Sequence, residues 1–197
     1  MKRQTALKGE REILALVESD RWMMNILGAA ASLELPDWWI CAGFVRTKIW
    51  DTLHGFEERT PLGDIDVIYF DAGNINEETE KLRENRLHQI MSGLPWSVKN
   101  QARMHVVNGN PPYQSSVDAI SKFPETATAL GVRLDEGGQL ILAAPCELED
   151  VLAMRVKPTP AFSSNVELMK VYRRRQEQKR WTAKWPKVRI EQVERRV

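Results

Sequence analysis

The stretch that decides the fold is Ile40–Phe70, ICAGFVRTKIWDTLHGFEERTPLGDIDVIYF. Asp64 and Asp66 stand one residue apart at the head of an apolar, β-branched run. In a strand, residues i and i+2 point to the same side. The two carboxylates therefore project together, while Ile65 and Val67 face the opposite way into a core. Upstream, Gly43 ends the short apolar segment Trp38–Ala42 and opens a helical pattern with Val45, Ile49, Trp50 and Leu53 on one face, closed by Gly55. Two adjacent carboxylates repel each other, and no residue immediately beside them neutralises that repulsion. A divalent cation such as Mg²⁺ or Mn²⁺ would, since such ions take one or two carboxylates together with substrate phosphates. A glycine opening a helix lets phosphate oxygens reach the backbone N–H groups of Gly43 and Phe44 at the positive helix end, with Arg46 in the first turn as a further phosphate partner. The alternative for Asp64 and Asp66 is a solvated strand rim.

Composition narrows the field. The chain has 197 residues, 43% hydrophobic and 28% charged, with a formal net charge of +1, as in a globular protein with a sizeable core. That balance gives no global pull toward nucleic acid or membrane. No apolar run reaches the length of a membrane span, and the N-terminus carries charges where a signal peptide needs its apolar region. Cys41 and Cys146 sit apart in apolar surroundings and read as reduced thiols, which suits a cytoplasmic protein.

The rest of the chain reads as α+β, a mixed β-sheet flanked by helices. The pattern predicts one helix over residues 10–31 and a charged helix over 77–94. It predicts an alternating strand through Trp96–Val107, and a helical passage from Ser115 that leads into a hairpin at Gly137–Gly138. Two further helices are expected, over 145–158 and from Val166 to about Lys184. Alternation along Trp96–Val107 puts Lys99, Gln101, Arg103 and His105 on one face. If that face looks into the cleft, Lys99 and Arg103 bind triphosphate and His105 serves as the base; otherwise they are solvated or structural. Asp118 reads as an N-cap or as an extra acid. Tyr113 and Trp96 are either base-stacking or core residues. Residues 1–158 form the expected catalytic-type domain and 159–197 a basic helical extension packed on it. Trp181 and Trp185, four apart among arginines, either anchor that extension or stack on RNA bases.

The segments AGFVRTKIWD and LGDIDVIYF resemble the G-G-x-V-R-D and D-h-D-h signature (h apolar) of the DNA polymerase β-like nucleotidyltransferase superfamily. They are most similar to the head domain of CCA-adding and poly(A) polymerases. Gly43, Val45 and Arg46 keep the pattern, whereas Ala42 replaces its first glycine and Thr47 its aspartate. The whole chain is similar to a small stand-alone bacterial group of that superfamily, on GFVR, DIDVIYFD, VKNQARMH and PETATALGVR. The resemblance implies a polymerase β-like fold with Asp64 and Asp66 as the metal-binding carboxylates. It also implies transfer of a nucleoside monophosphate from an NTP to an acceptor (small molecule, protein or RNA end), with pyrophosphate released. The superfamily's third carboxylate has no counterpart in WSVKNQARMH. Two other readings therefore stand beside the enzyme: a nucleotide-binding or regulatory module, and a small RNA-binding protein working through the basic C-terminal segment.

Overall fold

The computed structural model describes residues 7–191. The first six residues, part of the N-terminal reading, and the last six, the end of the basic segment, lie outside the described residues.

The expected first helix is two, α1 (Glu10–Glu18) and α2 (Arg21–Ala31). Asp20 breaks it. Its extended backbone lets the side chain accept the Met23 N–H at 3.2 Å as an N-cap, and its second oxygen holds Lys48 at 2.7 Å and Arg59 at 2.6 Å. Strand β1 (Trp39–Cys41) leads into α3 (Gly43–His54), which ends at the left-handed Gly55. Asp64 stands just before strand β2 (Ile65–Tyr69) and Asp66 within it, and α4 (Glu77–Ile90), capped by Asn76, connects β2 to β3 (Trp96–Asn100).

The alternating strand expected to run on through Val107 stops at Asn100. The Asn100 side chain accepts the Ala102 N–H and donates to the carbonyls of Asp71 and Asn74, so it caps a short helix, α5 (Gln101–Met104), continued by a 3₁₀ turn at His105–Asn108. Lys99, Arg103 and His105 thus share no strand face. In α6 (Ser116–Ser121) the N-cap is Ser115, not Asp118; Asp118 reaches back to the Gln114 N–H at 3.1 Å.

The hairpin falls where expected, as β4 (Gly131–Leu134) and β5 (Leu140–Ala143). The helix expected over 145–158 shrinks to α7 (Glu149–Leu152), followed by β6 (Arg155–Val156), because Met154 turns left-handed at φ 53°. After α8 (Pro160–Ser163), the last expected helix divides at left-handed Arg180 into α9 (Val166–Lys179) and α10 (Trp181–Lys184). Strand β7 (Arg189–Ile190) then pairs with β6.

The five-stranded sheet has the order β3-β2-β1-β4-β5, parallel only between β2 and β3. It is a mixed sheet flanked by helices, in an α+β chain. Ile40, Ile65, Val67, Val98 and Val132 point to one face, in a core that also takes in Ile13, Ile26 and Ile49 from α1–α3. Ile68, Trp39 and Cys41 point to the other face, where Ile120 of α6 covers part of it. Asp66 lies on this second, partly covered face. The C-terminal segment is built into the main core: Trp181 and Trp185 are 2% and 1% exposed and meet Trp50 edge-on at 5.7 and 5.2 Å. Buried indoles cannot stack on bases.

Candidate active site

Asp64 and Asp66 open into a cavity of about 180 Å³ that Gly43, Arg46, Thr128, Arg175 and Lys179 also line. Its floor is the junction of β1 and α3. Ala42 there has φ 52° and ψ −113°, a region that a Cβ disfavours. This is the position at which the sequence departs from the first glycine of the resembling motif. We expect Ala42→Gly to stabilise the fold by about 1 kcal/mol, read as a rise of a few degrees in thermal unfolding. A fall would show that the backbone here is relaxed with alanine.

Gly43 begins α3. A Cβ on it would meet only the Arg46 Nη2 at 3.9 Å and the Asp64 Oδ1 at 4.0 Å. Packing therefore does not demand glycine. Its absent side chain leaves open floor between a guanidinium and a carboxylate, at the end of a 12-residue helix where N–H groups are in excess.

Arg46 is held in a cage of three indoles. Its guanidinium carbon lies 5.0 Å from the ring centres of Trp50 and Trp181 and 5.1 Å from that of Trp185. It is 8% exposed, donates to Thr47 Oγ1 at 3.1 Å, and its Nε has no hydrogen-bond partner among the described residues. Burial pushes its pKa down to about 10, an effect that the charges of Glu125 and Asp64 oppose, so it stays a cation at neutral pH. Asp51 fixes one wall of the cage by accepting the Trp185 indole N–H at 2.8 Å, while its carboxylate also holds Thr60 at 2.6 and 2.9 Å.

Three cations that the sequence reading left in a basic tail, Arg175, Lys179 and Lys184, line the same cavity. Arg175 is placed by the fully buried Glu125, with contacts of 2.8 and 3.3 Å; Glu125 also accepts from Thr128 Oγ1 at 3.0 Å. The signal was present as spacing, since Arg175 and Lys179 stand four apart on one side of α9. With Arg46, four cations face two carboxylates, a balance suited to a polyanion that arrives with a divalent cation.

Asp66 is raised from 3.8 to about 6, first by burial and then by the Asp64 charge; the hydroxyl of Ser97, its neighbour on β3, works the other way. The donor set of two facing carboxylates with open space beside them fits a hard, oxygen-seeking cation. Among the described residues no group of three or more His, Cys, Asp or Glu side chains forms a metal cage, so substrate oxygens and water would complete the coordination. The β3 residue opposite Asp66 is a serine, not a third acid.

The remaining sequence candidates lie elsewhere. Arg103 clamps the buried Glu80 through two 2.6 Å contacts, and Lys99 lies 3.5 Å from the same carboxylate. His105 stacks edge-on against Tyr113 at 6.1 Å and is not among the residues around the cavity. Trp96 is buried in the main core.

A nucleotidyltransferase family model matches residues 28–190. The chain belongs to the nucleotidyltransferase family. A structure solved by NMR and described as revealing a CCA-adding enzyme head domain is 36% identical, with TM-score 0.85 over 96% of this chain and 100% of that one. The Thermotoga maritima CCA-adding enzyme complexed with tRNA shares the fold at 14% identity and TM-score 0.54, covering 94% of this chain and 43% of that one. An apo CCA-adding enzyme does so at 16% and 0.51, over 94% and 43%. This nucleotidyltransferase thus spans under half of those two enzymes. No curated protein matches it. Its fold is polymerase β-like, similar to CCA-adding enzyme heads, and among its described residues no helix is long and apolar enough to cross a membrane.

Proposed function

We propose that the protein is a metal-dependent nucleotidyltransferase that moves a nucleoside monophosphate from an NTP to an acceptor hydroxyl and releases pyrophosphate. The observation that carries this reading is the convergence of Asp64 and Asp66 with Gly43, Arg46, Arg175 and Lys179 on one cavity. Asp64 and Asp66 would hold Mg²⁺ or Mn²⁺, which when bound offsets their repulsion and stabilises charge on the transferring phosphoryl group. The N–H groups of Gly43 and Phe44 and the cations Arg46, Arg175 and Lys179 would bind the triphosphate. The Trp cage holds Arg46 in a fixed pose, so little reorganisation is needed when phosphate arrives.

The test is pyrophosphate release and label transfer from each α-labelled NTP, in Mg²⁺ or Mn²⁺, with a cell extract as acceptor source. Transfer is expected from the wild type and a loss of at least about 10³-fold in the Asp64→Asn, Asp66→Asn double variant. Ser97 in place of a third acid favours one second reading, a nucleotide-binding module without turnover. Metal-dependent NTP binding with no transfer in either protein would support that module instead.

A further inference from the structure

A second cavity, of about 210 Å³, also touches Asp66, and it shares no other residue with the first. Asp64, just before β2, and Asp66 line the cationic cavity, and Asp66 and Ile68, on one face of β2, line the second. Lys99, the residue beside Ile68 on β3, enters its wall. The remainder comes from the α5–3₁₀ segment, from Ala119 of α6 and from the chain on either side of α6, at Tyr113 and Lys122–Pro124.

The two linings differ in chemistry. The first is dominated by charge. In the second, Ile68, Met104, Tyr113 and Phe123 form an apolar body, while Lys99, Gln101 and Lys122 supply polar groups. Among the described residues the carboxylate partners of Lys99 and Lys122 lie at 3.5 and 3.4 Å, and both side chains are 37% exposed. The Lys122–Asp118 pair is long and solvated and so is held weakly, while the buried carboxylate that Lys99 reaches is already clamped by Arg103, so either ammonium is available to an incoming anion. The volume is below that of a pocket for a drug-sized ligand and matches a single ring.

We infer that the second cavity is the acceptor site, and that the acceptor is a hydroxyl-bearing small molecule with one flat ring and one anionic group. This rests on the nucleotidyltransferase reading of the first cavity. The ring lies among Ile68, Met104, Tyr113 and Phe123, and the anion meets Lys99 or Lys122. The hydroxyl then stands at Asp66, the residue that both cavities touch. Its oxygen forms the new bond to the α-phosphorus of the NTP, and the bond from that phosphorus to the β-phosphate bridging oxygen breaks. Pyrophosphate leaves with the electron pair, and the hydroxyl proton passes to solvent.

The probe is 4-hydroxyphenylacetate, titrated into the full chain and followed by the methyl NMR signals of Ile68, Met104 and Ala119. ATP with Mg²⁺ is titrated separately as the control for the first cavity. The expected result is saturable shifts at these three methyls, with glycerol 3-phosphate, which lacks a ring, binding at least about tenfold more weakly. Val107→Trp, at a site 66% exposed on the cavity rim, should abolish the shifts, and Lys122→Glu should weaken them about tenfold. Both variants should bind ATP as the wild type does. ATP binding with no probe shifts, or with shifts that both variants leave intact, would overturn the acceptor site and spare the nucleotide site. An RNA trinucleotide moving the same methyls at lower concentration than the probe would overturn the small-molecule class. Absence of ATP binding in the wild type would instead remove the reading on which the inference rests.

Discussion

Asp66→Asn should make the metal-free protein more stable at pH 7.5 while removing nucleotidyl transfer. The Asp66 carboxyl sits at about 6 in the fold, against an ordinary 3.8, because burial and then the neighbouring Asp64 disfavour its charge. The native state therefore holds this proton more tightly than the unfolded chain does. The contribution of this one carboxyl to stability is greatest below pH 4, falls as pH rises toward 6, and is flat above that. The lost stability is about 2–3 kcal/mol, and a neutral amide of the same shape recovers most of it. For a chain of this length that is a gain of roughly 5 °C in melting temperature at pH 7.5, shrinking to nothing at pH 4. Mg²⁺ should narrow the gap by stabilising the wild type alone. Equal melting temperatures across the pH range would mean that Asp66 is solvated and its charge costs nothing.

Trp185→Ala should lower stability by about 3–5 kcal/mol and weaken NTP binding together. The ring is fully buried against Trp50, and its N–H is one of the donors that satisfy the Asp51 carboxylate. Removing it opens a void, takes a donor from a buried charge, and deletes one wall around Arg46. Trp185→Phe separates these effects. It keeps most of the ring and leaves Asp51 short of one donor, so it should cost about 1–3 kcal/mol with NTP affinity largely kept. Thermal unfolding and nucleotide titration of both variants check this. If Trp185→Ala binds NTP as tightly as the wild type, the cage is structural only.

Much of the fold was legible because local and tertiary signals agree in the segments that mattered. The Asp64–Tyr69 run, the helix from Gly43 to Gly55 and the Gly137–Gly138 hairpin each carry periodicity and punctuation in the same place. The errors fall where a single polar side chain reroutes the backbone. Asp20 caps a helix in the middle of a continuous apolar pattern, and Asn100 caps one at the end of an alternating pattern. Neither event alters the hydrophobic period, so periodicity alone could not reveal them. The second error moved Lys99, Arg103 and His105 onto a shared face that does not exist.

At the site, the carboxylate pair and Arg46 could be read because they sit within one short stretch. Arg175, Lys179 and Lys184 lie more than a hundred residues away and reach the cavity because the indoles of Trp181 and Trp185 pack on Trp50. Glu125, which places Arg175, is a buried acid 50 residues from its partner, and no local pattern announces such a contact. Composition marked the C-terminal segment as basic but could not say which way it faces.

Mn²⁺ binding followed by the electron paramagnetic resonance of the free ion, with and without a non-hydrolysable ATP analogue, tests the central claim most directly. The account predicts that the wild type takes up Mn²⁺, more tightly with the nucleotide present, and that Asp64→Asn with Asp66→Asn abolishes the uptake. Equal uptake by the wild type and the double variant would contradict it and return the two aspartates to an ordinary strand rim.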